Sequence, residues 1–310
     1  MEKTVLKNQI NNKAYIITGP TSGIGYATAL ELAKHGTVIL VGRNQDKLNH
    51  VQKIIELAGH KAVAVECDIS DIKSVRNAAE EIMQLQLPVA GLLNNAGIMP
   101  SKASKNAQGW DLTYATNHLG AFALTEALAS HLPDGANVVF IASAIEDPER
   151  KPAKVMGMKG GRYISAEASA RGEWEAGGTK MAGVDAYATS KQCILASALF
   201  FARENPRLHF NAVEPGITRG TGLGSGSVPP VVHFIFGYLM SIIPPFSKFS
   251  STPEKSAKVI ANVLTDTSGK TGIYYDEKGE PMTSSTLVRD PDFQNRVVAE
   301  TRAFLSKFKG

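Results

Sequence analysis

The regular alternation of short β-branched runs with helical stretches is the feature that most constrains how this chain can fold. Predicted strands end near Thr18, Val41, Glu66, Asn94, Ala142, Glu214 and Tyr275, and stretches with helical periodicity separate them. Strands that alternate with helices in this way predict a parallel sheet with helices on both faces. We therefore expect an α/β fold, with a doubly wound parallel sheet of about seven strands.

Two segments do not follow the alternation. Ala144–Val184 is polar and rich in glycine, and Gly220–Ser251 contains many Gly, Ser and Pro residues around an apolar centre. No internal repeat or change of composition indicates a domain boundary. We therefore predict a single domain over residues 1–310 with insertions at about 144–184 and 220–251. The first insertion could be a flap, an oligomer contact or a disordered loop.

The distribution of charge and cysteine narrows the classes of partner. The net charge of +4 comes from 33 basic and 29 acidic residues spread along the chain, which gives no indication of a nucleic-acid partner. Cys67 and Cys193 lie far apart in the sequence, each in an apolar stretch. We interpret them as buried thiols of a protein in a reducing compartment. We find no apolar signal region, no run long enough for a transmembrane segment and no metal motif, so we expect a cytoplasmic protein without a metal.

A glycine-rich loop joins the first predicted strand to the first predicted helix. In the run from Thr18 to Gly25, the first glycine, Gly19, permits a tight turn. Gly23 lets the backbone approach a pyrophosphate, and Gly25 lets the helix pack close to the sheet. The amide groups at the start of the helix can then bind the phosphates. An ordinary glycine-rich turn is the alternative, but the position between strand and helix favours a dinucleotide site.

Further motifs follow in a fixed order along the chain. They are Asn94-Asn95-Ala96-Gly97 after the fourth strand, Asn117 in the long helix, Ser143 after the fifth strand, Tyr187 and Lys191 as a YxxxK motif, and Pro215-Gly216 with Thr218 after the sixth strand. With these motifs the chain resembles the short-chain dehydrogenase/reductase family over about residues 13–310. The region after Pro215-Gly216 and the tail, with Gly272-Ile273-Tyr274-Tyr275 and Arg289-Asp290-Pro291, resemble retinol-dehydrogenase-like and protochlorophyllide-reductase-like members. The resemblance implies a Rossmann fold that binds a nicotinamide cofactor.

The resemblance also implies a catalytic role for four residues. Tyr187 would give a proton in reduction and take one in oxidation, and Lys191, four positions along the same helix face, would lower the pKa of Tyr187 and bind the ribose. Ser143 would hydrogen-bond the substrate oxygen, and Asn117 would hold a water that relays protons. Two alternatives remain open: Asn117 could instead kink or cap its helix, and Ser143 could be a turn residue, because its separation from Tyr187 is unusually long for the family.

The cofactor is expected to be NADP(H). The second strand ends at Arg43, where an acidic residue would bind the ribose of NAD and a guanidinium can bind a 2′-phosphate. A solvated surface arginine is the alternative at this position. Asp68 could contact the adenine or precede a helix as its cap. The predicted cofactor-binding residues are Gly19, Thr21, Ser22, Gly23, Ile24, Gly25, Arg43, Asp68, Ile69, Asn95, Ala96, Gly97, Tyr187, Lys191, Pro215, Gly216, Ile217 and Thr218.

The leading interpretation is an NADP(H)-dependent oxidoreductase that moves hydride between the nicotinamide and a small-molecule carbonyl or alcohol. A non-catalytic nucleotide sensor of the same fold is one alternative, because a fold does not fix a function. The apolar stretch 228–246 could be a lid over a bulky apolar substrate, ordinary core or a membrane contact. Its centre, Val231–Ile243, would span only about 20 Å as a helix, which is too short to cross a bilayer. A homo-oligomer also remains open.

Overall fold

The computed structural model describes residues 13–100, 102–155, 157–179, 183–218 and 246–308. Its centre is a parallel sheet of seven strands in the order β3-β2-β1-β4-β5-β6-β9, which confirms the predicted fold class. These strands are β1 (Ala14–Thr18), β2 (Thr37–Gly42), β3 (Ala62–Glu66), β4 (Val89–Asn94), β5 (Asn137–Ile141), β6 (His209–Val213) and β9 (Tyr274–Tyr275). Two further strands, β7 (Ile217–Thr218) and β8 (Ser250–Ser251), form a small separate parallel pair.

Helices cover both faces of the sheet. They are α1 (Gly23–Leu32), α2 (Gln45–Leu57), α3 (Ile72–Gln84), α4 (residues 112–129), α5 (Lys151–Val155), α6 (Ala166–Arg171), α7 (Val184–Glu204), α8 (Pro253–Thr265), α9 (Thr286–Arg289) and α10 (Pro291–Ser306). One apolar core lies between the sheet and α3, α4, α7 and α10, and a second lies between the opposite face and α1, α2 and α8. No helix among the described residues is both long and apolar enough to cross a membrane.

The strand order reverses between β1 and β4, and this reversal determines where a ligand can bind. In open parallel sheets, ligands bind beyond the carboxyl ends of the strands at such a reversal. The glycine loop follows β1, and Asn95 to Gly97 follow β4. Ser143 follows β5, and Pro215 follows β6. The sheet therefore brings the predicted motifs to one edge.

Helix α4 contains a π-helical turn at the position of Asn117. The turn covers Ala115–Gly120 between the α-helical stretches Leu112–Tyr114 and Ala121–Ala129. Such turns are rare and often occur at functional sites. Gly120 ends the turn against the chain after β3, where a Cβ built on it would lie 1.8 Å from the backbone oxygen of Ile69. Only glycine therefore fits this contact without moving the backbone.

The first predicted insertion packs against the body of the protein in its described part. The Tyr163 hydroxyl donates to Oε2 of Glu300 at 2.7 Å, and Tyr163 is buried. Nε of Arg162 donates to the backbone oxygen of Glu175 at 2.8 Å. The role of this insertion, as a flap, an oligomer contact or a disordered loop, stays a prediction. Residues 219–245 lie outside the described residues, and they include most of the second insertion (220–251) and of the predicted lid.

The first testable prediction concerns the Gly120 contact. A Gly120→Ala change adds helix propensity worth up to about 1 kcal/mol, but it also forces a Cβ into a backbone oxygen, and overpacking of this kind typically costs about 1–3 kcal/mol or more. Because an approach of 1.8 Å to a backbone oxygen places the steric cost at the upper end of that range, we expect a net loss of free energy of unfolding of about 2 kcal/mol. Urea unfolding followed by circular dichroism measures it. An unchanged or higher midpoint would contradict the packing described here.

Candidate active site

Thr18, the last residue of β1, connects the glycine loop to the segment after β4. Its hydroxyl accepts hydrogen bonds from the backbone amides of Asn95 and Ala96 at 3.0 and 2.9 Å. Nδ2 of Asn95 in turn donates to the backbone oxygens of Thr18 and Gly19 at 2.8 and 3.2 Å. These bonds fix the two loops on either side of the strand reversal to each other, so the crevice between them has a defined shape before any ligand binds.

The glycine loop has the form of a phosphate site. Gly19 and Gly23 have φ angles of +68° and +54°, which favour glycine. A Cβ on Gly25 would lie 2.1 Å from the backbone oxygen of Gly19. Ser22 precedes α1 and its side chain makes no capping bond, so the helix amides and this hydroxyl can bind phosphate oxygens. These features fit a dinucleotide cofactor. Thr21 and Ile24 lie half-buried in the same loop and first turn.

Arg43 lies beside this loop, at the end of β2. The amide of Gly19 donates to the backbone oxygen of Val41 at 2.9 Å, which holds the glycine loop against the end of that strand. The Arg43 side chain is exposed and has no carboxylate partner within the described ranges. Its guanidinium is therefore available at the strand end where dinucleotide sites distinguish a ribose hydroxyl from a phosphate.

Asp68 and Ile69 follow β3 and have different surroundings. Oδ1 of Asp68 accepts from the amide and the hydroxyl of Ser70 at 2.9 and 2.8 Å, so its side chain forms a turn before α3. The cap of α3 is Asp71, whose Oδ1 accepts from the amide of Lys73. The Ile69 side chain is buried in the core. Any contribution of Ile69 to a cofactor site would therefore come from its backbone.

The Asn117 side chain joins α4 to the chain after β4. Its Oδ1 accepts from the amide of Ile98 at 2.8 Å, while Nδ2 donates to the backbone oxygen of Ile98 at 2.9 Å and to the Ser190 hydroxyl at 3.1 Å. A Cβ on Gly97 would lie 3.4 Å from Asn117 Oδ1 and 3.7 Å from Lys191 Nζ. Asn117 thus holds a loop next to the lysine, and its side-chain amide is fully engaged in doing so.

Ser143, Tyr187 and Lys191 converge beside this loop. Because Tyr187 and Lys191 are one turn apart on α7, both reach the same edge of the sheet. Lys191 Nζ donates to the backbone oxygen of Ile141 at 2.6 Å and lies 5.6 Å from the centre of the Tyr187 ring. The Ser143 hydroxyl lies near that of Tyr187 and influences its pKa. Tyr187 and Lys191 are buried, and Ser143 is half-buried at the edge of the site.

Burial and one further charge set the protonation of this pair. Burial raises the pKa of Tyr187, the negative charge of Glu214 raises it further, and the nearby Ser143 hydroxyl lowers it. Burial lowers the pKa of Lys191 to about 8, and Glu214 partly offsets that effect. In this state Tyr187 holds its proton strongly. Tyr187 is therefore protonated at neutral pH, which is the state that a proton donor needs, but its raised pKa makes it a weaker acid than a free tyrosine.

The turn at Pro215 and Gly216 follows β6 and lies at the same edge of the sheet as the other motifs. Gly216 has a φ angle of +75°, and a Cβ there would lie 2.7 Å from the backbone oxygen of Phe249. The Pro215 oxygen accepts from the Ser256 hydroxyl at 2.9 Å, which anchors the turn to α8. Ile217 and Thr218 continue as β7, paired with β8. The turn is therefore held in place next to residues 142–146 after β5, which we call the Ser143 loop, on the side opposite the glycine loop.

Comparison with known proteins agrees with this arrangement. The model of the short chain dehydrogenase family matches residues 13–153. Human retinol dehydrogenase 13 is 30% identical over 284 residues, which cover 87% of this chain and 78% of that protein. The chain belongs to the short-chain dehydrogenase/reductase family.

Other members of the family are similar over most of their length. Chloroplast protochlorophyllide reductase of pea is 27% identical over 300 residues, covering 88% of this chain and 71% of that protein. A short-chain dehydrogenase of Burkholderia cenocepacia, solved in complex with NADP, shares the fold with a TM-score of 0.63 and 23% identity, covering 88% of this chain and 99% of that one. This short-chain dehydrogenase/reductase is accordingly an oxidoreductase of a family that uses a nicotinamide cofactor.

Sequence analysis did not single out Glu214 of this short-chain dehydrogenase/reductase. Its carboxylate accepts hydrogen bonds from the backbone amides of Ala144 and Gly216. The sequence signal for Glu214 was its position: it is a charged residue directly after an apolar strand and directly before the Pro215-Gly216 turn. Sequence alone gives no direction to the side chain, so the contact with the Ser143 loop could not be inferred from it.

The second testable prediction concerns the close approach at Gly25. In a Gly25→Ala variant the new Cβ must displace the backbone oxygen of Gly19, and the phosphate loop would lose its shape. We expect the affinity for NADPH or NADH, whichever binds the wild type more tightly, to fall by at least about tenfold, or about 1.4 kcal/mol. Fluorescence titration of the reduced cofactor measures it. Circular dichroism of the same variant checks that the fold persists, and wild-type affinity in a folded variant would refute the site.

Proposed function

We propose that this chain is an NADP(H)-dependent oxidoreductase that transfers hydride between the nicotinamide and a bulky, apolar carbonyl or alcohol, with Tyr187 as the general acid and base. The observation that carries the proposal is the arrangement of half-buried Ser143 with buried Tyr187 and Lys191 beside Gly97, on the sheet edge that also holds the glycine loop. A hydroxyl pair and an ammonium group, shielded from water next to a dinucleotide site, suit acid–base chemistry at a carbonyl oxygen.

Each of these residues has a defined task in the proposed reaction. When bound, the nicotinamide cofactor supplies or accepts the hydride. Ser143 and Tyr187 hydrogen-bond the substrate oxygen, and Tyr187 delivers the proton in reduction. The Lys191 ammonium stabilises the phenolate that remains, because an adjacent positive charge favours the ionised form. Tyr187 is protonated at neutral pH, as the delivery of a proton in reduction requires.

NADP(H) is the cofactor that the residues favour. Arg43 is an exposed guanidinium beside the glycine loop, and no acidic residue occupies the end of β2. A guanidinium binds phosphate oxygens in a bidentate manner and gives no advantage to a ribose hydroxyl. The Burkholderia cenocepacia relative of the same fold was solved in complex with NADP, which supports the same choice here.

The bulky substrate class is supported by the relatives and by the sequence of the second insertion. Two similar proteins are named for retinol and protochlorophyllide, which are both large and apolar. Phe234, Phe236, Tyr238, Leu239 and Met240 would form an apolar lid in residues 220–251, although they lie outside the described residues. The alternative, a non-catalytic nucleotide sensor, predicts NADPH binding without turnover of any ketone, aldehyde or quinone.

The third testable prediction concerns the proton donor. Tyr187→Phe removes the hydroxyl and little else, so the fold and NADPH affinity should persist while turnover falls by about 100-fold or more. Lys191→Ala should impair both turnover and cofactor binding. Oxidation of NADPH, followed by absorbance with the best substrate from a carbonyl screen, measures the rates. Near-normal turnover by the Tyr187→Phe protein would eliminate the proposed mechanism.

The fourth testable prediction concerns cofactor choice. Wild-type kcat/KM with NADPH should exceed that with NADH by at least about tenfold, which corresponds to about 1.4 kcal/mol. Arg43→Asp should narrow or reverse this ratio, because a carboxylate repels the 2′-phosphate and can accept from the ribose hydroxyls. Lys47→Asp, an equal change of charge at an exposed position on α2, controls for net charge. Equal use of both cofactors by the wild type would contradict the assignment to Arg43.

A further inference from the structure

We propose that Glu214 is a positioning residue, whose carboxylate fixes the Ser143 loop and the Pro215-Gly216 turn relative to Tyr187. The inference rests on the proposed function, in that Ser143 and Tyr187 are taken as the pair that binds the reacting oxygen. It goes beyond that function by assigning a task to a buried acid that makes no contact with the glycine loop.

The position of Glu214 follows from the end of the sheet. Strands β5 and β6 pair as far as Ile141 and Val213, and the amide of Ala142 then donates to the backbone oxygen of Val213 at 2.9 Å. Beyond this point the two chains diverge into the Ser143 loop and the turn at Pro215. Glu214 is the first residue after β6, and its own amide donates to the backbone oxygen of Tyr275 at 2.8 Å. Main-chain hydrogen bonds therefore set the position of the Glu214 backbone independently of its side-chain contacts.

The carboxylate connects the two diverging loops. One oxygen, Oε2, accepts from the amide of Ala144, the residue next to Ser143. The other, Oε1, accepts from the amide of Gly216 at 3.1 Å. The Tyr274 hydroxyl lies 3.5 Å from Oε2. With both oxygens engaged by donors, the side chain holds the two loops together where the backbone pairing has ended, and an ionised carboxylate is the form that suits these contacts.

Glu214 also contributes charge to the reacting groups. Burial is the largest effect and raises the pKa of Glu214 above its usual value, and the two amide bonds and the charges of Arg150 and Lys191 partly offset this rise. The groups that face it are Tyr187 and Lys191 on α7, Arg150 after β5 and Tyr274 on β9. Its negative charge raises the pKa of both Tyr187 and Lys191. When it is ionised, Glu214 therefore keeps Tyr187 and Lys191 protonated up to a higher pH.

Two substitutions separate position from charge, and they form the fifth testable prediction. Glu214→Asp keeps the charge but is one methylene shorter, so it cannot reach both amides. Glu214→Gln keeps the length and one acceptor oxygen but loses the charge. We expect both to lower kcat for carbonyl reduction by about tenfold or more, since small misplacements at reacting groups are costly, while the Kd for NADPH changes less than about threefold.

The pH profile of kcat/KM distinguishes the two effects. Reduction requires protonated Tyr187 and charged Lys191, so activity falls on the alkaline side as either group loses its proton. Without the charge of Glu214 both groups lose protons at lower pH, and we expect the alkaline limb of Glu214→Gln to move to lower pH. Glu214→Asp should leave the limb in place. A general loosening of the fold would lower the plateau of both variants without this difference.

Amide hydrogen exchange tests the same contacts without turnover. By NMR, Glu214→Gln should speed exchange at the amides of Ala144 and Gly216, and Glu277→Gln, which changes a carboxylate beside the same turn, should not. If the wild type reduces no carbonyl compound, the proposed function is wrong. The amide exchange rates at Ala144 and Gly216 then still test whether Glu214 fixes the two loops. Unchanged exchange at both amides, or a Glu214→Gln enzyme with wild-type kcat and an unmoved alkaline limb, overturns the role of Glu214.

Discussion

The hydrogen bonds between the end of β1 and the segment after β4 are the constraint on which the rest of the site depends. Thr18 and Asn95 satisfy each other's polar groups across the point where the strand order reverses. Without them, the glycine loop and the loop that carries Gly97 would be two independent turns. With them, the crevice is largely preformed, so less conformational entropy has to be lost when a ligand binds.

The second constraint is the cost of burying charge. Tyr187, Lys191 and Glu214 lie in a region with little water, where an unpaired charge would be expensive. The chain offsets this cost with backbone groups: Ile141 accepts from Lys191, and the amides of Ala144 and Gly216 donate to Glu214. Because these backbone groups belong to the ends of β5 and β6, the geometry of the sheet and the protonation of the site are physically coupled.

The C-terminal part of the chain is tied to the same edge. Glu146, three residues after Ser143, is buried and accepts from the amide and hydroxyl of Ser285 at 2.9 and 2.6 Å. Burial raises the pKa of Glu146 to about 7, and the bonds from Ser285 act against this effect. Ser285 precedes α9, which leads directly into α10. The loop that presents Ser143 is therefore held by a C-terminal element as well as by the sheet.

The sequence by itself determined the order of strands and helices, the parallel sheet and the list of motifs at its edge. These follow from local rules: period and β-branching identify the elements, glycine marks the turns, and aspartates such as Asp290 and Asp71 cap helices. It could not reveal the π-helical turn around Asn117, the β7–β8 pair or the helices in the first insertion. Each of these is stabilised mainly by contacts with distant residues.

Only the tertiary structure decided where the polar side chains point. Asn117 uses its amide to hold Ile98, and Asp68 forms a turn with Ser70. Glu214, which has no motif of its own, lies between the two loops nearest Tyr187. A sequence records which residue follows a strand, but the direction of a side chain depends on which donors the neighbouring strands bring within about 3 Å, and that is a property of the folded sheet.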